Sequence, residues 1–189
     1  MKPPPLPEET LRRVLRASKI NGWSVLVISL PGALISGLLG DFSGAFVGLI
    51  VAYGGWTEVS GHNQVRRGDA DGMQRLVRAQ WIVLGAVLVY CVTRIASFDA
   101  DTALSSLTPG LRSELASSGV DVEAIMPMVR LFFYFTYGIA AFLTLIYQGG
   151  MARYYRRREP VVRQALADRL RPVVPPAAPS RSAPEDLVT

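Results

Sequence analysis

Four polar side chains lie at the edges of long apolar stretches, where a ring of hydrogen bonds or an ion site can form: Asn21, Glu58, Gln80 and Gln148. Glu58 is the only carboxylate of the four, so it is the candidate to hold a proton or a cation in such a ring. The alternative is that these positions are polar because they end apolar helices. Glu58 would then reach water or pair with a nearby arginine: Arg66, Arg67 or Arg78. We expect this second arrangement.

The sequence lacks the residue sets that common catalytic and metal sites require. Its single histidine, His62, excludes an HExxH zinc site, and its single cysteine, Cys91, excludes an intrachain disulfide or a Cys-x-x-Cys redox site. Neither a GxSxG nucleophile motif nor a phosphate-binding Walker loop is present. We therefore predict no catalytic, cofactor or metal site and favour a non-enzymatic role, while an enzyme with an unfamiliar site stays open.

The segment GDADG at residues 68–72 has two of the acidic positions of a calcium-binding loop. Met73 stands where such a loop needs a third oxygen ligand, and no glutamate follows at the closing position. We therefore interpret the segment as a turn in which Asp69 or Asp71 caps the next helix.

The elements that must position the polar side chains are four apolar blocks. Half of the 189 residues are hydrophobic and 19% are charged, and the hydrophobic residues cluster. A helix crosses about 30 Å of hydrocarbon with about 20 mostly apolar residues, and each block meets or nearly meets that length. The first block and its leader are too long for a signal peptide. We predict an all-α polytopic membrane protein with four transmembrane helices in an antiparallel bundle, at residues 20–39, 42–60, 80–98 and 128–149.

The other segments divide the chain into three parts. Residues 1–19 form a proline-rich and basic amphipathic flank, whose short helix either lies on an anionic membrane surface or is solvated. Residues 20–158 form the transmembrane domain, which includes an external helical loop at 99–127. Residues 159–189 form a cytoplasmic tail that we expect to be largely disordered, with room for a short helix from Pro160 to Leu170.

Basic residues are distributed unequally between the two sides of this bundle. Seventeen of the 20 Lys and Arg residues fall in the terminal flanks and the loop at 61–80, whereas the other two loops hold only Arg112 and Arg130. The positive-inside rule therefore predicts that both termini are cytoplasmic, and the even number of spans agrees. Because the basic residues gather at the ends of apolar blocks, we expect no nucleic acid partner despite the net charge of +5. Only Lys2 and Lys19 of the 20 basic residues are lysine, so we expect a multi-pass protein of a bacterial inner membrane.

Small residues predict how the first two helices pack. The short turn Gly40-Asp41 requires these helices to form an antiparallel hairpin. Gly44 and Gly48 expose a strip of backbone on the second helix, which we expect a small-residue face of the first helix to contact through Gly32 and Ser36. The sequence leaves open whether such contacts form within one chain or between chains.

The outer side of the bundle contains one charged residue within a span. Arg94 lies about one turn from the end of the third span, so we expect its side chain to reach outward and pair with Asp99 or Asp101. In the loop that follows, Thr108 and the proline after it predict the start of a short helix.

These features favour a small membrane subunit or scaffold that packs through glycine-rich helix faces. Its expected surroundings are the lipid bilayer and either a second copy of the chain or a membrane protein partner. The alternative is an oligomeric small channel or transporter with Glu58 near its cytoplasmic mouth, because four helices in one copy hardly enclose a pathway.

Overall fold

A computed structural model describes residues 6–99, 110 and 122–170 of the chain. Four long helices account for nearly all of these residues, and no strand occurs among them. The helices are α1 (Pro7–Leu38), α2 (Phe42–Arg66), α3 (Gly72–Ala96) and α4 (Val122–Leu170). Each helix packs against the next along the chain, and α4 also packs against α1, so the four helices form a closed ring. The predicted all-α fold is confirmed.

Three of these helices are long and apolar enough to cross a membrane, with candidate spans in Pro7–Leu38, Gly72–Ala96 and Ile125–Leu170. This is compatible with a multi-pass membrane protein. Helix α2 is not among the three, and its sequence gives the reason: five glycines, a tryptophan, a threonine and Glu58 lower its hydropathy.

Helices α1 and α4 are longer than the spans expected from the sequence. The basic flank and the first apolar block form one continuous helix, with a proline in its first turn next to Glu8 and Glu9, where acidic side chains are favourable. Helix α4 has 49 residues and is therefore about 74 Å long, more than twice the thickness of the hydrocarbon layer. It continues through Pro160, so the part of the expected tail up to Leu170 is helical.

The main hydrophobic core lies where the ends of all four helices meet, beyond the apolar blocks. Leu11 and Val14 of α1 are only 1% and 0% exposed, so the flanking helix buries its apolar face in protein rather than in a lipid surface. The cluster contains residues from every helix: Leu11, Val14, Val65, Met73, Leu76, Tyr155, Val162, Ala165 and Leu166. Two exposed ion pairs, Glu8 with Arg169 and Asp71 with Arg163, lie at its surface.

Glycines bring α1 and α2 together within one chain. A Cβ atom at Gly48 would lie 2.8 Å from the Cβ of Ala33, and one at Gly44 would lie 3.2 Å from the Oγ of Ser36. Close contacts recur towards the other end of the hairpin, where a Cβ atom at Gly55 would meet Val25 and Leu26 and one at Gly22 would meet Val59. A Cβ atom at Gly32, by contrast, would have nothing within 4 Å, so this glycine is not part of the contact.

The turn between α1 and α2 is stabilised locally. Gly40 has a φ angle of +79°, which a residue with a side chain rarely adopts. Asp41 caps α2 by accepting a hydrogen bond from the backbone N–H of Gly44 and another from the hydroxyl of Ser43. These donors, with Arg94 nearby, lower the pKa of Asp41. At the start of α3, Asp71 makes no capping bond; Asp69 instead accepts the N–H of Asp71 in a local turn.

The contact at Gly48 can be tested against the open position at Gly32. Gly48→Ala should lower the free energy of unfolding by about 1–2 kcal/mol, because overpacking outweighs the better helix propensity of alanine. Gly32→Ala should leave stability unchanged or raise it slightly. Thermal unfolding in mild detergent measures both. Equal effects of the two substitutions would contradict the packing described here.

Candidate functional site

Glu58 is enclosed by protein and hydrogen bonded on both carboxyl oxygens. Its side chain is 1% exposed. The amide of Asn21 on α1 donates to Oε2 over 2.7 Å, and the hydroxyl of Tyr155 on α4 donates to Oε1 over 2.8 Å. The expectation that Glu58 reaches water or pairs with an arginine is therefore wrong. Burial of a carboxyl group requires such partners, and here they come from two other helices.

Asn21 extends this network towards the apolar part of the bundle. Its Oδ1 accepts a hydrogen bond of 2.8 Å from the hydroxyl of Tyr147 on α4. Asn21 thus bridges Tyr147 and Glu58, and the chain of hydrogen bonds runs from Tyr155 through Glu58 and Asn21 to Tyr147. We call these four residues the polar layer. Its effect is to fix α1, α2 and α4 relative to one another at one depth.

Gln80 and Gln148 are also buried, but they do not complete the expected ring of hydrogen bonds. Gln80 is 1% exposed and approaches Glu58, yet neither its amide nitrogen nor its oxygen has a hydrogen-bond partner among the described residues. Gln148 is 6% exposed, and its Oε1 likewise has no partner in the described chain. Buried polar atoms without partners are rare and call for an explanation.

A second polar contact lies one turn beyond the polar layer, towards the hydrophobic core. The hydroxyl oxygen of Ser18 is 3.0 Å from Nδ1 of His62, and both side chains are buried. Burial lowers the pKa of His62, and the positive charges of Arg66 and Lys19 act in the same direction. His62 is therefore favoured in its neutral form and pairs α1 with α2.

A groove opens on the other side of the polar layer, between α1 and α4. It encloses a volume of about 430 Å³, which is within the range of small-molecule sites. Its lining is mostly apolar and includes Val83 and Val87 of α3. The polar lining residues include Asn21, Ser29, Tyr147 and Gln148. Along α1 the groove extends from Asn21 to Ser29, a rise of about 12 Å. Gln148 and Ser29, whose side-chain oxygens have no partner among the described residues, both belong to its lining.

At the opposite end of the apolar region, Arg94 forms an ion pair with Asp41 and lies over the ring of Tyr90. The expected partners were Asp99 and Asp101. Asp101 lies outside the described residues, and Asp99 makes an interaction of its own. The ion pair with Asp41 joins the turn between α1 and α2 to α3. The helix expected from Thr108 also lies outside the described part of the chain.

The two tyrosines of the polar layer are not evident from the sequence, because tyrosines after an apolar block are typical of an interfacial belt. A helical signal was present: Gln148, Ala152 and Tyr155 have the i, i+4, i+7 spacing of one face, and all three are buried. That spacing places the tyrosine hydroxyl on the same side of α4 as Gln148.

The described residues contain no group of three or more His, Cys, Asp or Glu side chains arranged to hold a metal ion. No protein-family model matches the sequence, and no curated protein or solved structure matches it either.

The hydrogen bond from Tyr155 to Glu58 should contribute measurably to stability. Tyr155→Phe leaves one carboxyl oxygen of Glu58 without its donor and should lower the free energy of unfolding by about 1–3 kcal/mol. Tyr154→Phe is the matched control, because it removes the same hydroxyl from the neighbouring half-buried tyrosine, and it should have little effect. Unfolding of both variants in detergent, followed by circular dichroism, measures the difference. A loss of stability in Tyr155→Phe no larger than that in Tyr154→Phe would contradict the stabilising role of the bond from Tyr155 to Glu58.

Proposed function

We propose that the protein is a four-span integral membrane protein of the cell membrane with both termini in the cytoplasm. The support for a span in α2 comes from its contacts with α1, which is itself a candidate span. The turn between the two helices has only three residues, and the contacts run from Ser36 and Gly44 near the turn to Ser18 and His62 at the far end. If α1 crosses the membrane, α2 returns beside it.

The surface of the bundle supports the same placement. Large apolar side chains are exposed along the outer part of α4, including Leu131 at 69% and Phe132 at 72%. In water such a surface would be unfavourable, whereas hydrocarbon chains cover it at no cost. The seventeen basic residues near the termini and the loop at 61–80 favour the cytoplasmic side for the hydrophobic core.

We further propose a non-enzymatic role: a small membrane subunit that holds an uncharged amphipathic molecule in the groove between α1 and α4. The observation that carries this proposal is the buried Gln148, which lines that groove and whose Oε1 has no hydrogen-bond partner among the described residues. A carbonyl oxygen accepts hydrogen bonds, so the ligand must bring a donor such as a hydroxyl group. The apolar walls suit a hydrocarbon chain, and the opening between two helices gives access from the lipid.

The glycine contacts occur within one chain, where Gly22, Gly48 and Gly55 pack α1 against α2. They therefore support a small membrane subunit rather than an assembly of several copies held together by glycine contacts.

The alternative function, an oligomeric channel or transporter, has one supporting feature: the hydrogen-bond chain from Glu58 through Asn21 reaches the groove at Tyr147. It is weakened by the enclosure of Glu58, whose two oxygens are occupied by protein donors.

The topology is tested by cysteine labelling in a Cys91→Ala background. Ser43 follows the turn between α1 and α2, and Gln74 lies in the first turn of α3; both are exposed. A membrane-impermeant maleimide should label a Ser43→Cys variant in intact spheroplasts, but a Gln74→Cys variant only after lysis. Labelling of both variants before lysis would show that α2 does not cross the membrane.

Ligand binding in the groove is tested with a monoacylglycerol, which has one hydrocarbon chain and two hydroxyl groups. The methyl ester with the same chain, which lacks those hydroxyls, should bind more weakly when both are titrated into the purified protein by native mass spectrometry. Gln148→Leu should weaken monoacylglycerol binding by about 3- to 10-fold, the value of one hydrogen bond. Gln164→Leu makes the same change at an exposed position of α4 and should have no effect. Equal binding of the two lipids to the parent protein would refute the proposed donor.

A further inference from the structure

A second cavity lies on another face of the bundle, between α4 and the part of α3 around Trp81. It has a volume of about 450 Å³ and is lined by Trp81 and by one face of α4: Gly149, Ala152, Arg153, Arg156 and Arg157. The α4 residues recur at spacings of three and four, so their side chains project from the same side of the helix. This basic cavity shares no lining residue with the groove between α1 and α4.

The three arginines of this cavity are available for an external anion. They are all exposed. The ion pairs found in the described part of the chain use other arginines, namely Arg13, Arg94, Arg163 and Arg169. The neighbouring Arg158 instead lies over the ring of Tyr154. A cluster of three guanidinium groups without carboxylate partners is a strong site for phosphate, which accepts two hydrogen bonds from one guanidinium group.

The position of the cavity indicates where that phosphate comes from. Trp81 and Gly149 lie at the cytoplasmic ends of the proposed third and fourth spans. Arg153 follows Gly149 by one turn, a rise of about 6 Å. This rise places Arg153 within the layer of lipid headgroups. Tryptophan is favoured at this depth, and long arginine side chains on the next turn can reach back to it.

We propose that this cavity binds the headgroup of an anionic phospholipid from the cytoplasmic leaflet. The phosphate contacts Arg153, Arg156 and Arg157, while the acyl chains lie along the apolar surface of α3 and α4 beyond Trp81. The inference rests on the proposed membrane placement but not on a ligand in the groove. Basic cavities between membrane helices on the cytoplasmic side are suited to such headgroups.

Trp81 provides a direct readout. In a full-length Trp23→Phe, Trp56→Phe background it is the only tryptophan, since the chain has three. Phospholipids brominated on their acyl chains quench a tryptophan that they contact. We expect brominated phosphatidylglycerol to quench Trp81 of the detergent-solubilised protein at about 5- to 30-fold lower concentration than brominated phosphatidylcholine. This range corresponds to one or two arginine contacts of about 1 kcal/mol each.

A pair of double variants separates the site from net charge. Arg156→Gln with Arg157→Gln should reduce the preference for the anionic lipid to less than about twofold. Arg12→Gln with Arg16→Gln removes the same charge from exposed positions of α1 and should preserve the preference. Retention of the preference in the first pair, or its loss in both pairs, would overturn the proposal.

Two further outcomes have separate meanings. Quenching by neither lipid would contradict the membrane placement itself, and the lipid site with it, whereas equal quenching by both lipids would overturn only the lipid site.

Inorganic phosphate added at millimolar concentration distinguishes a lipid headgroup from free phosphate as the source of the anion. If it abolishes the preference for phosphatidylglycerol, the cavity is a site for free phosphate and the lipid assignment is overturned; if the preference persists, the lipid is the ligand.

Discussion

The structure depends on the need to satisfy one buried carboxyl group. Glu58 lies on α2, where protein encloses it and excludes water, and a carboxyl group in such a place is stable only with hydrogen-bond donors on its oxygens. Asn21 and Tyr155 supply them from α1 and α4. Because hydrogen bonds tolerate little displacement, these two contacts fix the register of three helices. The hydrophobic core and the groove lie on either side of this layer.

The two sides of the polar layer are built by different forces. Towards the chain termini, Leu11, Met73 and Val162 are completely or almost completely buried, as in a water-soluble bundle. This fits a region where water drives apolar surface together. On the other side, contact depends on small residues such as Gly48 against Ala33 and on the ion pair of Arg94 with Asp41. Apolar side chains there are largely left at the surface, as expected where lipid removes the hydrophobic drive.

Much of the candidate site follows from sequence patterns, but its chemistry does not. The positions of four polar residues at the edges of apolar blocks predict a polar layer, and Asn21, Glu58, Gln80 and Gln148 are all buried. The donors to Glu58 could not be chosen from the sequence, because Tyr155 is 97 residues away. The orphaned oxygen of Gln148 was equally hidden, since a partner is absent only once every neighbouring helix is in place.

The sequence by itself determined that the chain is helical, that it contains long apolar segments and that α1 and α2 form a tight hairpin, because these depend on local composition and on a turn of three residues. It did not determine that the basic flank and the residues up to Leu170 extend the helices into a common core. Only the tertiary structure decided this, and it also decided that Glu58 is enclosed and that a groove opens between α1 and α4. Helix packing brings together side chains far apart in the sequence, and their burial and hydrogen bonding arise only from that contact.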